Sequence, residues 1–137
     1  MPLTEDDFAI RELVARYIDA VNRDDTPGWE ATWAEQGVWD VDGSRAQGRE
    51  HRLAMYLSAR GLFSFVFMMQ GSGILEIDAP CARGRWYLTE HLVRVDGTPV
   101  TVHGCYEDRY LRENGEWRFE ERRYRILRQV EETVRAD

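Results

Sequence analysis

Apolar positions in the first part of the chain recur at helical spacing, and after about residue 60 the pattern becomes strand-like. Ile10, Leu13, Val14, Tyr17, Ile18 and Val21 share one face of a helix about five turns long. Thr4, with Asp7 three residues on, resembles a capping box at its start. Asp24 to Gly28 breaks this helix, and Trp29 to Glu35 predicts a second short one with Pro27 near its first turn. Val38 to Val41 reads as a short strand ending at an Asp42-Gly43 turn, and Gly48 to Ala59 as a third helix carrying Leu53, Met55, Tyr56 and Leu57. Four long extended runs follow, at roughly 63–78, 82–95, 99–112 and 116–129. Their joints, Ala79-Pro80, Asp96-Gly97 and Asn114-Gly115, are turn chemistry, so consecutive antiparallel hairpins are the natural reading.

Three helices followed by a meander exclude a doubly wound fold, because parallel strands would need helical crossovers that this chain lacks. The expected class is α+β: a cone-shaped, strongly curved, mixed or antiparallel sheet wrapped around three N-terminal helices, with an apolar interior and a mouth. At 137 residues the chain fits one domain over residues 1–137, with room for one ligand cavity in its core. Charged residues at 31% beside 43% hydrophobic ones describe an ordinary globule, which excludes a disordered chain. A net charge of −7 repels phosphate backbones and argues against nucleic acid or an anionic membrane as partner. The arginines from Arg118 to Arg128 are interleaved with Glu120 and Glu121, which reads as a solvated, ion-paired face. No run approaches the roughly 18 apolar residues of a membrane span, and Met1 to Asp7 is acidic, so a cytoplasmic location is expected. Cys81 and Cys105 then read as two small buried thiols.

Glu90 breaks the pattern in an informative way. In the run Gly84-Arg85-Trp86-Tyr87-Leu88-Thr89-Glu90-His91-Leu92-Val93, strand alternation places it on the face of Trp86, Leu88 and Leu92. Burying a carboxylate costs several kcal/mol unless it is paired, and the usual escapes are a raised pKa or a dedicated hydrogen bond. Two readings follow: a catalytic or ligand-orienting carboxyl, or a structural ion pair with an arginine such as Arg125.

Arg16-Tyr17, Ala20-Val21-Asn22-Arg23, the Trp29 to Trp33 segment, Trp39, Gly84 to Leu88, Tyr106-Glu107-Asp108 and Gly115-Glu116-Trp117-Arg118-Phe119 together resemble SnoaL-like proteins of the nuclear-transport-factor-2-like superfamily. The resemblance covers nearly the whole chain and implies the cone-shaped, cystatin-like α+β barrel and a homodimer. Members of the family include polyketide cyclases, scytalone dehydratase, bile acid 7α-dehydratase, steroid isomerase-like enzymes and dioxygenase β-subunits. The motifs look most like the bile acid 7α-dehydratase and scytalone dehydratase branch. That likeness implies Tyr17 as the pocket tyrosine and Glu90 as the acidic residue of the central strand. The branch's helix aspartate falls on Asn22, unless Asp24 or Asp25 takes its place, and its pocket histidine falls on Met68. Its arginine falls on Arg125, or on Ile126 after a one-residue slip.

Each remaining candidate has a plain alternative. Tyr17 sits on the apolar stripe of the first helix and can be core; Asn22 can frame the helix end or donate to a substrate oxygen. Tyr106 shares a face with Val100 and Val102 and can line the cavity, while Asp108 reads as locally paired. Trp39, Met68 and Trp86 read as wall residues. His91 and His103 lie on the opposite parity to Glu90 and Tyr106 and should face outward; His51 lies early in the third helix. No histidine pair has metal-site spacing on one face, so no metal and no cofactor are expected.

With no nucleophile triad, phosphate loop or dinucleotide fingerprint, the chemistry pointed to is cofactor-free proton transfer. Glu90 would act as base or acid, and Tyr17, Asn22 or Tyr106 would hydrogen-bond a developing oxyanion. Elimination of water, double-bond migration or ring closure on a hydrophobic, oxygenated molecule such as a polyketide, steroid or terpenoid fits the lining. The competing class is a small-ligand-binding or assembly protein of the same fold. The outer sheet face, with Tyr87, Thr89, His91, Val93, Thr101, His103 and Cys105, is expected to pack against a second copy.

Overall fold

The computed structural model describes residues 4–133; Met1 to Leu3 of the acidic N-terminal reading lie outside them. Helix α1 spans Glu5–Arg23, capped by Thr4, whose hydroxyl accepts from the Asp7 backbone N–H at 3.1 Å. Of the predicted face, Ile10, Leu13, Val14, Tyr17 and Val21 are buried; Ile18 is only partly so, and Ala20 is buried beside them. It ends at Asp24, whose left-handed conformation returns the backbone N–H to Ala20 and Val21.

The second helix differs from expectation. Asp25 accepts from Gly28 N at 3.0 Å and starts α2 early, so that it spans Thr26–Glu30 instead of Trp29 to Glu35. Trp33 already opens strand β1 (Trp33–Val41), pairing with Phe119 in the distant last strand. Long-range pairing overrides the local helical spacing here. The predicted Val38 to Val41 strand is the second half of β1. After the Asp42-Gly43 turn the chain folds back as β2 (Ser44–Gln47), a short strand that the sequence reading missed. Both turn residues have positive φ, 50° and 98°, the backbone that a two-residue hairpin loop demands.

Helix α3 (Arg49–Arg60) and strands β3 (Phe63–Asp78), β4 (Cys81–Arg94), β5 (Pro99–Glu113) and β6 (Glu116–Glu131) follow close to their predicted bounds. They form one mixed six-stranded sheet in the order β2-β1-β6-β5-β4-β3. Strands β3 to β6 are successive antiparallel neighbours, as the turn chemistry implied. β1 runs parallel to β6, so of the two expected forms the sheet takes the mixed one. The crossover is the intervening hairpin, α3 and meander, which together supply the length that a parallel connection needs. The sheet does not close: β2 and β3 are its edges, and its curved concave side wraps the N-terminal helices. An aromatic cluster fills one part of the cone, with Trp29 stacked on Tyr56 at 4.3 Å and set edge-on to Trp33 at 5.5 Å.

Candidate active site

Strand alternation on β4 turns Trp86, Leu88, Glu90, Leu92 and Arg94 toward the concave side. The first two pack in the core, and Glu90 meets a cavity of about 710 Å³ bounded by α1, α3 and the inner faces of β1 and β3 to β6. Met68 on β3 and Val102 on β5 flank Glu90 in register. Its one hydrogen-bond partner among the described residues is Tyr124, whose hydroxyl donates to Oε2 at 3.0 Å. No cation pairs with Glu90 among those residues. Burial raises its pKa, and the Tyr124 hydrogen bond acts in the opposite sense without reversing it.

Beside this pair, the hydroxyls of Tyr17 and Tyr106 meet at 2.9 Å on the same wall, and the Tyr106 ring lies 4.8 Å from that of Tyr124. Burial raises the pKa of all three phenols, which keeps them neutral and able to donate. Behind them Arg122 is fully buried, its Cζ 3.7 Å from the Tyr106 ring centre and 4.4 Å from that of Tyr17. Asp108 holds it in a two-point ion pair at 2.7 and 3.0 Å. Burial pulls the Arg122 pKa down, and the charge and hydrogen bond of Asp108 together with the Tyr106 and Tyr17 phenols turn the net shift upward. Tyr110 donates to Asp108 at 2.6 Å and accepts from Trp86 Nε1 at 2.8 Å, so the support is bonded from strand to strand.

Glu90, Tyr17, Trp39, Met68 and Tyr106 therefore come together on one cavity, and three other predicted site residues do not. Asn22 spends its amide on the edge strand: Nδ2 donates to Met68 O at 2.9 Å and Oδ1 accepts from Met68 N at 2.7 Å. Asp24 and Asp25 do not replace it, being tied to Arg60 and to the α2 cap. Trp86 lies in the core beyond the cavity wall, its N–H taken by Tyr110. Arg125 points outward, half exposed, and pairs with Glu107 at 3.7 Å, so the ion-pair reading for Glu90 is also corrected. The reason is a local insertion in β6. Arg109 pairs with Glu121 but Tyr110 pairs with Phe119, so Glu120 is an extra residue that flips the parity beyond it. Arg122, Tyr124 and Ile126 consequently face inward.

Three functional candidates escaped sequence reading: Tyr124, Tyr56 and Arg60, all on the cavity wall. Tyr56 and Arg60 carried a signal in their spacing of four on α3; Tyr124 carried none without the β6 bulge. Asp108 does bond locally, to Tyr110, but its ion pair runs across to Arg122, which the sequence reading did not anticipate. His91 and His103 do face outward, and His51 is exposed. Cys105 is buried, whereas Cys81 is exposed at the start of β4, where the turn leaves it uncovered. Among the described residues no cluster of three or more His, Cys, Asp or Glu side chains could hold a metal.

Comparison with known proteins bears on the fold. A hexachlorocyclohexane dehydrochlorinase, LinA type 3 of Novosphingobium barchaimii, is 18% identical with a TM-score of 0.86, over 92% of this chain and 89% of that one. A scytalone dehydratase-like protein of Novosphingobium aromaticivorans is 16% identical with a TM-score of 0.85, over 96% and 90%. At such identities the likeness is one of fold. Rv3472 of Mycobacterium tuberculosis, a protein of unknown function, is 28% identical with a TM-score of 0.77, over 90% and 72%. No curated protein matches the sequence. The SnoaL-like domain model matches residues 3–123, and the chain belongs to that family.

Proposed function

We propose that this protein is a cofactor-free lyase or isomerase, of dehydratase or cyclase type, acting by proton transfer on a hydrophobic, oxygenated small molecule. The observation that carries the reading is Glu90: a carboxyl on an apolar cavity wall, without a cation, its pKa moved by burial toward neutrality. As carboxylate, Glu90 takes a proton from a carbon beside a carbonyl, and the C–H electrons become the enolate double bond. Of the hydrogen-bonded Tyr17 and Tyr106 hydroxyls, one donates to the enolate oxygen while the other donates to its neighbour. The same carboxyl then returns its proton to a departing β-hydroxyl, so that water leaves and Glu90 is restored. Returning the proton to another carbon instead gives isomerisation. LinA dehydrochlorinases and scytalone dehydratase-like proteins among the structural neighbours support a lyase-type use of this fold.

Mass spectrometry on β-hydroxy ketones, hydroxysteroid-like acids and linear polyketide mimics tests the reading. Loss of water or isomerisation by wild type, abolished by Glu90→Gln, is expected. A second reading, a binding protein without turnover, is favoured by Met68 standing where the dehydratases carry histidine. Thermal stabilisation of both proteins by one compound, without conversion, would select it.

The proposal includes a homodimer in the cytoplasm. Phe67, Met69 and Tyr87 lie exposed on the convex sheet face, an apolar surface that a second copy would cover. Free thiols at Cys81 and Cys105 support a reducing compartment, and among the described residues no helix is long and apolar enough to cross a membrane. A solution mass near twice 16.1 kDa is expected.

A further inference from the structure

Three hydrogen-bond donors on the flank of the cavity formed by α3 and β1 have no acceptor. Trp39 Nε1, Tyr56 Oη and Arg60 Nη1 are withdrawn from solvent and bonded to nothing among the described residues, and all three side chains belong to the cavity lining. Tyr56 and Arg60 stand one helical turn apart on α3, so they share a face, and the Trp39 ring centre is 6.3 Å from that of Tyr56. Trp39 and Tyr56 are more than nine-tenths buried. Unpaired buried donors are costly, and donors lying just behind a cavity wall are groups that a ligand's acceptor can satisfy once the wall side chains shift.

Two arginines stand at this end, each already in an ion pair, Arg60 with Asp24 and Arg94 with Glu131. Arg60 Nε donates to Asp24 Oδ1 at 3.0 Å, which fixes the guanidinium plane. Asp24 is itself 57% exposed, so water screens much of its charge and the terminal nitrogens of Arg60 are left to others. Arg94 lines the same end, because it pairs in register with Phe63, just beyond the junction of α3 and β3. Glu90 lies four residues back along β4, roughly 13 Å from Arg94 between Cα atoms. The cavity thus has a carboxyl on the β4 wall, and unpaired donors with two ion-paired arginines on the flank of α3.

We propose that the ligand of this cavity is an apolar carboxylic acid. Its carboxylate sits on Arg60, Tyr56 and Trp39, and its bicyclic or tricyclic body reaches toward Glu90. The donors set the orientation, because a carboxylate is hydrogen-bonded beside Arg60, Tyr56 and Trp39 and would lack such donors in the apolar surroundings of Glu90. The inference rests on the proposed function only for what happens at the Glu90 end; binding at the Arg60 end stands separately.

Isothermal titration with 2-naphthylacetic acid and with its methyl ester tests it, since the ester keeps the body and replaces the charge at the head with one methyl group. Wild type is expected to bind the acid about tenfold more tightly than the ester. Arg60→Gln should erase that preference by weakening the acid far more than the ester, and Tyr56→Phe should reduce acid binding a few-fold. Glu90→Gln should keep the preference, which separates this test from any failure of proton transfer. Equal or tighter binding of the ester, equal weakening of both compounds by Arg60→Gln, or binding of neither would overturn the proposal.

Discussion

Tyr124 on β6 reaches past the intervening strand β5 to donate its hydroxyl to Glu90 Oε2 on β4, at 3.0 Å. Gly104 on β5 makes room for it: a Cβ there would lie 2.5 Å from the Tyr124 hydroxyl oxygen and 2.7 Å from Cζ. The bare strand between the two residues is therefore what lets a phenol serve a carboxyl two strands away.

Gly104→Ala should push Tyr124 off Glu90 without unfolding the sheet, because the obstructing atoms are the far end of one side chain. Without its donor the Glu90 carboxyl should titrate higher still, since that hydrogen bond is what holds its pKa down. Carbon-13 NMR titration of labelled glutamate, with Glu90→Gln as the assignment control, reads this directly. An unshifted Glu90 resonance profile in Gly104→Ala would refute the link.

Glu90 should also leave a mark on stability. Burial raises its folded-state pKa above the unfolded value, so its stabilising contribution is complete below the ordinary carboxylate range and is lost as pH rises through the raised value. Glutamine cannot ionise. Thermal unfolding of Glu90→Gln relative to wild type should therefore improve with pH, with the variant gaining most at about pH 8 and least at about pH 4. A difference that shrinks toward alkaline pH would mean that Glu90 is stabilised as an anion.

Asn22 is predicted to be structural, with both ends of its amide holding the backbone of Met68. Asn22→Asp restores the residue type of the dehydratases but sets a carboxylate oxygen against the Met68 carbonyl in place of a donor. Urea unfolding should show a loss of about 1–3 kcal/mol. Unchanged stability with a changed rate would return Asn22 to the chemistry.

Much of the fold was legible because its period changes cleanly. The α1 stripe from Ile10 to Val21, the Glu90 parity and the turns at Asp96-Gly97 and Asn114-Gly115 depend on local spacing alone, and all stand. What failed depends on partners far along the chain. Trp33 became strand because Phe119 is its neighbour. Arg125 faces outward and Tyr124 inward because Glu120 is one residue too many, and the inserted residue flips the side chains from there to Ile126. Asn22 could not be assigned from helix spacing, since its partner is a backbone group 46 residues away.

The central claim, that Glu90 moves a proton inside this cavity, is tested most directly by deuterium exchange. 2-Tetralone in heavy water loses its α-protons slowly, and proton NMR follows the loss with protein added. The account predicts that wild type accelerates this exchange and that Glu90→Gln reduces it to the rate of buffer alone. Equal acceleration by both proteins, or none by either, would contradict it.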